Sequence, residues 1–556
     1  MLKAGKYLTA AIAALLFSGL AWAQDADPQV TLFTNVNVFD GVKEELIENA
    51  NVVVTGNKIT AVSTESLAVA GGQVIDGGGR TLMPGLIYMH EHIMFQLPSA
   101  AQMEHADDRY MAIVATTIAK KYLDRGITTI RDAAGNSYGL KQAIDQGLVP
   151  GPRIFPAGPM ISQTSGHADF RVPTDPTVFA GGRHGKPVER GDLIVADGVD
   201  EVLRATRETL RRGSSQIKIA VGGGTGSQSD PLEVAQYLPE EITAIVKAAE
   251  DFGTYVMAHV YNTDGIRRAV DAGVKSIEHG NLIDKETLQY MKEKDVWLSP
   301  QVTVYTYIPG GYTEDQARKH RQAYAGIDAM FTTAKEIGFK NIVMASDIIA
   351  DPNRIDTILN ELELRSKWFT PVEILRQATS NGGKLLALSN VMNPYKQGKL
   401  GVIEEGAYAD LLLVEGNPLE DITIATDPEN FRIIMKDGVI YKNSLDPEPR
   451  GAMTFWSMLS AKVDADKADS AITAFVKRRA IEESAETIPG FRNGQLLQST
   501  DDPGMLVVLS AWDDKSSYQQ WLDSPLRAKQ FPDLQGFLTG DLETGMFESV
   551  HEVEKP

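Results

Sequence analysis

Five apolar, strand-like runs spread over more than 250 positions each end in residues that bind metal or move protons. LMPGLIYMHEH ends in His90 and His92, SQIKIA carries Lys218, TYVMAHV carries His259, KSIEHG carries His279 and NIVMASD ends in Asp347. Strand ends that converge from distant parts of a chain are what a parallel β/α barrel provides, and its active site lies on the C-terminal rim. A lone HxH or a lone lysine in a strand says little. The conjunction takes four of the nine histidines, and it reads as a two-metal hydrolytic centre.

Each position has its own chemistry. His90 and His92 are two apart, so on a strand both leave from one face and can bind one ion. Lys218 lies between Ile217 and Ile219, in a run buried on both faces of a parallel sheet. An unpaired ammonium there is too costly to keep; with its pKa driven down, the amine becomes a neutral nucleophile. It can then add carbon dioxide, and the carbamate (N6-carboxylated Lys218) offers two oxygens to bridge two cations. His259 and His279 complete the second ion. Asp347, at the last strand end, can touch one metal and the bridging hydroxide, which suits a proton shuttle. Metal brings the pKa of bound water to about 7, and the second ion can polarise the scissile carbonyl. The expected ions are two divalent cations, zinc first.

The array resembles the amidohydrolase superfamily, in its binuclear branch with a carboxylated lysine. Further stretches carry the likeness: GITTIRDAAG, SGHADF, SIEHGNLID, ATSNGGKLLAL and KLGVIEEGAYADLLLVEGNPL, over roughly residues 30–445. Within it the chain is most similar to the group of Xaa-Pro dipeptidases, N-acyl-amino-acid carboxypeptidases and ochratoxin-hydrolysing amidases. The resemblance implies that His90, His92 and Asp347 hold the buried ion, that Lys218 bridges, and that His259 and His279 hold the other. The deaminase branch lacks the bridging lysine, so Lys218 implies hydrolysis of an amide, such as a dipeptide or N-acyl amino acid with a free carboxylate. A lactone or ester hydrolase is the alternative on the same fold.

Composition narrows the class. The chain has 556 residues, 43% of them hydrophobic, and no cysteine, which excludes disulfides, thiolate zinc sites, a thiol nucleophile and a lipoprotein anchor. A net charge of −20 argues against nucleic acid or an anionic membrane surface as partner. Lys3 and Lys6, the apolar LTAAIAALLFSGL and Ala21-Trp22-Ala23 read as a signal peptide over 1–23 cleaved near Ala23-Gln24. The run is too short for a good membrane span, so a periplasmic or secreted enzyme without a membrane anchor is expected.

The expected fold is α/β: a TIM-like (β/α)8 barrel over 84–390, with strands near 86–90, 127–132, 153–157, 216–220, 254–259, 275–279, 296–300 and 342–347. Short alternating runs in 28–83 and 391–447 are antiparallel β material and are expected to build one flanking β-sandwich. PEEITAIVKAAEDFG and TPVEILRQATSNGGKLLAL carry helix start and stop signals. The Gly-, Pro- and Asp-rich stretch 158–200 reads as a long βα loop and substrate lid.

For the substrate, His167 and Arg171 of SGHADFR offer donors to a carboxylate, and Tyr261 can donate to a developing oxyanion. The run Gly222–Gly226 lacks the lysine and spacing of a phosphate loop and reads as backbone beside the metals. After a linker at Asp446-Pro447-Glu448-Pro449, residues 453–552 show a β-α-β-β-α-β order, a ferredoxin-like α+β domain. PGF, LVVLSAWDD and YQQWLDSP are similar to the antibiotic-biosynthesis and haem-degrading monooxygenases. Trp521 matches the aromatic residue that crowds haem in the haem-degrading members. Their iron-ligating histidine would fall at Lys529–Phe531, where this chain has Lys-Gln-Phe. An assembly module and a homo-oligomer are therefore expected, with a bifunctional haem- or aromatic-binding chain as the alternative.

Overall fold

The computed structural model describes residues 29–69, 71–445, 455–488, 490–530 and 532–548; the expected signal peptide and the 446–449 linker lie outside them. The described residues fall into two compact units divided between Asn443 and Ser444. No described helix is long and apolar enough to cross a membrane.

The first unit opens with β1 (Val30–Val38), β2 (Ile47–Thr55), β3 (Lys58–Ser63), β4 (Gln73–Asp76) and β5 (Thr81–Pro84). Barrel-type strands follow: β6 (Leu86–Glu91), β7 (Ile127–Asp132), β8 (Arg153–Pro156), β9 (Met160–Ser162), β10 (Leu193–Val195), β11 (Ile217–Ala220), β12 (Val256–Asn262), β13 (Ser276–Leu282) and β14 (Trp297–Ser299). β15 (Leu411–Val414), β16 (Phe431–Lys436) and β17 (Val439–Asn443) close the unit. The two ends of the unit do build one β layer, through β15 paired antiparallel with β5. Hydrogen bonding runs through all eight strands as a single sheet, ordered β17-β16-β15-β5-β1-β2-β3 with β4 on β1. The expectation of a two-sheet sandwich is corrected to that extent.

The parallel strands are wholly buried in β6, β7, β8 and β11, as strands covered on both faces must be. Their ladders form two sheets, β6-β7-β8 and β10-β9-β11-β12-β13-β14, and not the expected closed eight-stranded barrel. Individual hydrogen bonds cross the seams. Ser215 N donates to Pro156 O at 2.8 Å; Met89 N donates to Met344 O at 2.7 Å and Asp347 N to His90 O at 3.0 Å. The expected eighth strand, 342–347, has one isolated bridge, Ile342 to Leu298. Its ladder stops for a visible reason: the Ser346 N–H goes to the Glu91 carboxylate at 2.8 Å, and Asp347 takes φ 55°. The buried Arg365 guanidinium also clamps this seam, donating to Pro300 O at 2.6 Å and Val343 O at 2.9 Å.

The stretch 158–200 holds more structure than the loop reading foresaw. Met160-Ile161-Ser162 is fully buried, and β9 inserts between β10 and β11. Pro239–Asp251 is a helix with Pro at its start, as its sequence signals require. The run after Thr370 splits into helices Pro371–Gln377 and Ser380–Ala387. In the second, a Cβ at Gly383 would meet Leu400 O at 2.0 Å, so glycine is needed where the chain crosses the helix.

The second unit has β18 (Phe455–Lys462), β19 (Phe491–Gln498), β20 (Met505–Trp512) and β21 (Glu543–Glu548), with helices after β18 and β20. Its sheet, β19-β20-β18-β21, is antiparallel throughout, the strand order of a ferredoxin-like fold. Trp521 packs 6.0 Å from Trp512 and 5.8 Å from Tyr518 between ring centroids.

Candidate metal centre

All six residues marked by the strand ends meet. Ring centroids lie 5.2 Å apart for His90–His92, 4.8 Å for His90–His279 and 4.4 Å for His259–His279. Asp347 Oδ1 is 3.1 Å from His92 Nε2 and 3.5 Å from His90 Nε2. Lys218 Nζ is 3.3 Å from His90 Nε2. The ligand atoms of His90, His279 and Asp347 all fall within 4.8 Å of one another. Five separate segments supply this cluster, and β11, β12 and β13 are paired in parallel register (Ala220↔His259, Val260↔His279).

Two of the six sit on unusual backbone. His279 has φ 75° and Asp347 φ 55°, a left-handed conformation that costs a non-glycine residue of order 1–3 kcal/mol and gathers at functional sites. His279 is followed by Gly280, itself at φ 70°.

Electrostatics suit ligation. Burial, with the charges of neighbouring cationic groups, drives His90 and His259 well below the ordinary histidine range, and burial takes His279 down to about 3. Neutral imidazole is the form that binds metal. Burial takes Lys218 down to about 8, with the Glu278 and Asp347 carboxylates pulling the other way. For Asp347, burial acts to raise the pKa. The hydrogen bond to His92 and the charges of His279, His92 and Lys218 outweigh it and hold the carboxyl below its usual value. His92 Nδ1 is buried with no hydrogen-bond partner. Four imidazoles, a carboxylate and a tunable amine are a donor set that fits divalent ions of the zinc class.

Partners behind the cluster fix it. Glu278 Oε2 is 2.8 Å from His90 Nδ1, and Arg131 donates to Glu278 Oε1 at 2.7 Å. Arg131 also donates to Met89 O at 2.6 Å, and to Tyr255 Oη and Ser276 Oγ at 3.2 Å each. His279 Nδ1 is 2.8 Å from Gln301 Oε1. Between the two histidines of β6, Glu91 faces away and accepts from Tyr122 Oη at 2.7 Å and Ser346 Oγ at 2.6 Å. Sequence reasoning missed these residues. A charged residue inside an otherwise apolar strand, as in SIEHG and TTIRD, was the signal available.

The substrate candidates fare differently. His167 stacks on His259, centroids 3.9 Å apart and planes 11° apart, and its Nδ1 lies 2.8 Å from Ser227 Oγ. Tyr261 stacks on His279 at 4.8 Å, and its phenol oxygen is 2.7 Å from that of Tyr305. Arg171 makes a two-point pair with Asp169 at 2.7 and 2.5 Å, so its guanidinium is already engaged. The glycine run behaves as backbone beside the cluster: His259 Nε2 is 3.1 Å from Gly223 O, and a Cβ on Gly224 would meet His167 Nδ1 at 1.9 Å.

Residues 81–441 match the amidohydrolase family. The chain belongs to it. Residues 456–529 match antibiotic biosynthesis monooxygenase. This amidohydrolase is 30% identical over 338 residues to the ochratoxinase of Aspergillus niger, covering 58% of this chain and 66% of that one, just under two thirds of its length. The crystal structure of that ochratoxinase superposes with a TM-score of 0.65 at 27% identity, over 76% of this chain and 97% of the other. A prolidase complexed with N-methylphosphonate-L-proline gives 0.69 at 33% identity, over 75% of this chain and all of the other. A Xaa-Pro dipeptidase with bound methionine in its active site gives 0.65 at 31%, over 75% and 100%. These neighbours and the family support hydrolysis of an amide bond.

Proposed function

We propose that this amidohydrolase is a binuclear metal-dependent enzyme that cleaves the amide bond of a dipeptide or N-acyl amino acid bearing a free carboxylate. The observation that carries the reading is the convergence of four buried histidines, Lys218 and Asp347 on one point. His90, His92 and Asp347 would hold one divalent ion, His259 and His279 the other. The ions, when bound, lower the pKa of water and polarise the scissile carbonyl.

The protein's own groups do the rest. Lys218, with its pKa near 8, is partly neutral at physiological pH; its amine can add carbon dioxide with loss of one proton, and the resulting carbamate would supply oxygen ligands to the ions. Glu278 fixes the His90 ring through Nδ1 and leaves Nε2 facing Asp347. Asp347 Oδ accepts the proton released at water attack and returns it to the leaving amine. His167, beside His259, takes the substrate carboxylate, and Tyr261 donates to the oxygen that gains charge. Arg171 contributes through its Asp169 pair to the shape of the loop.

The remaining features of the proposal are export through a cleaved signal segment, zinc as the ion and self-association through the ferredoxin-like unit. Metal analysis of purified protein with a panel of N-acyl amino acids, Xaa-Pro dipeptides and aryl lactones tests the reading. Two zinc per chain and preference for carboxylate-terminated amides are expected. Turnover retained after exhaustive chelation, or preference for lactones, would sink it.

A further inference from the structure

A cavity of about 690 Å³ opens in the first unit among β8, the β16–β17 hairpin and residues 393–397. Its walls include Arg153, Tyr395, Lys396, Tyr408, Lys436 and Tyr441. Arg153 begins β8 and is in register with Thr129 of β7, while Ile130 is in register with Tyr88 of β6. The cavity thus lies toward the N-terminal strand ends, and His90 toward the C-terminal ones, three residues or about 10 Å of strand further on.

The charges here are unevenly satisfied. Arg153 pairs with Asp410, at 2.9 Å, and with Asp437, at 2.5 Å. Asp145 accepts from Tyr395 Oη at 2.8 Å and pairs with Lys141. Among the described residues neither wall carboxylate, Asp145 or Asp437, forms a direct ion pair with Lys436, although their charges act on it. Lys436 is 5% exposed, and among the described residues its ammonium has no ion pair, only the Tyr441 ring at 5.9 Å. The Lys58 ammonium, buried without a hydrogen-bond partner, lies 3.6 Å over the ring of Tyr408, another wall residue. A buried ammonium without a direct hydrogen-bonded partner is costly, and Lys436 lines a cavity walled by aromatic rings.

We propose that this cavity is a second ligand site, separate from the metal centre, that binds an aryl monocarboxylate. The carboxylate meets Lys436, and the ring lies against Tyr441 and Tyr395. Carboxylates already present at Arg153 and Tyr395 disfavour the double charge of phosphate beside Lys436, and the tyrosine faces suit an aromatic body.

The test is a titration of 4-fluorobenzoate into the full chain, followed by fluorine NMR. Saturable binding is expected in the wild type, weakened about tenfold or more in Lys436→Gln, since a charge-assisted hydrogen bond is lost. Thermal unfolding is measured in parallel. If Lys436→Gln fails to fold, Tyr441→Ala, 40% exposed on the rim, carries the same test with a several-fold loss expected. Binding equal to wild type in a folded variant, or no saturable binding at all, overturns the proposal. Tighter binding of inorganic phosphate than of 4-fluorobenzoate overturns the assignment to a monocarboxylate.

Discussion

Glu278 Oε2 lies 2.8 Å from His90 Nδ1, although the two are 188 residues apart in sequence. The same carboxylate receives Arg131, so one buried anion orients a candidate ligand and balances a buried guanidinium.

Glu278→Gln should therefore have two effects. Metal affinity should fall by about 10–100-fold, the usual cost of losing a group that orients a ligand. The metal-free chain should also unfold at lower temperature, because Arg131 keeps its charge while its partner loses its own. Metal titration and calorimetry read the two separately. Unchanged affinity in a folded variant would show that Glu278 serves Arg131 alone.

Lys218→Ala should leave fewer than two metals per chain and abolish turnover. Short carboxylic acids should restore part of the activity by standing in for the carbamate. Two retained metals with wild-type turnover would end the bridging role.

Asp347→Asn should spare substrate binding and lower kcat by roughly 10²–10⁴-fold, the range for general acid–base groups. The acidic limb of the pH–rate profile should move with it. A normal kcat with a raised KM would reduce Asp347 to a shape-giving residue.

Glu91 offers a pH test. Burial raises its carboxyl from 4.5 to about 8 in the metal-free fold, against the hydrogen bonds from Ser346 and Tyr122. The folded state holds this proton more tightly than the unfolded one, so its stabilising contribution is complete below 4.5 and is lost as pH rises through about 8. Melting temperatures of the metal-free protein should drop between pH 5 and 9 more steeply in the wild type than in Glu91→Gln. Parallel curves would contradict the shift.

Ending the chain at Asp446 should leave a folded hydrolase, because every candidate ligand lies before residue 350 and the eight-stranded sheet is complete at Asn443. Light scattering should report a smaller particle, with kcat within a few-fold of the full chain. A metal-loaded but inactive truncation would mean that the ferredoxin-like unit takes part in catalysis.

The metal-centre candidates were legible because apolar runs ending in His, Lys or Asp mark strand ends, and parallel strands bring such ends together. The ferredoxin-like order was legible from the alternation of runs and helical spacing. What escaped sequence reading depends on tertiary partners. The pairing of Glu278 with His90 joins strands far apart in sequence. The left-handed backbone at His279 and Asp347 has no signature in composition, since neither is glycine. Residues 342–347 look like a strand by pattern, yet the Glu91 carboxylate takes the Ser346 N–H that a ladder would use. Arg171 read as a free donor because its pairing with Asp169, two residues earlier, turns on loop geometry.

The triplet His90-Glu91-His92 has a further consequence. Its outer members face the candidate metal centre and its middle member clamps the 346 segment, so the alternation of a single strand gathers donors on one side and closes the fold on the other. Sliding that strand by one residue would put a carboxylate where two imidazoles belong and strand both imidazoles against Tyr122 and Ser346. A misthreaded chain could then be neither closed nor active.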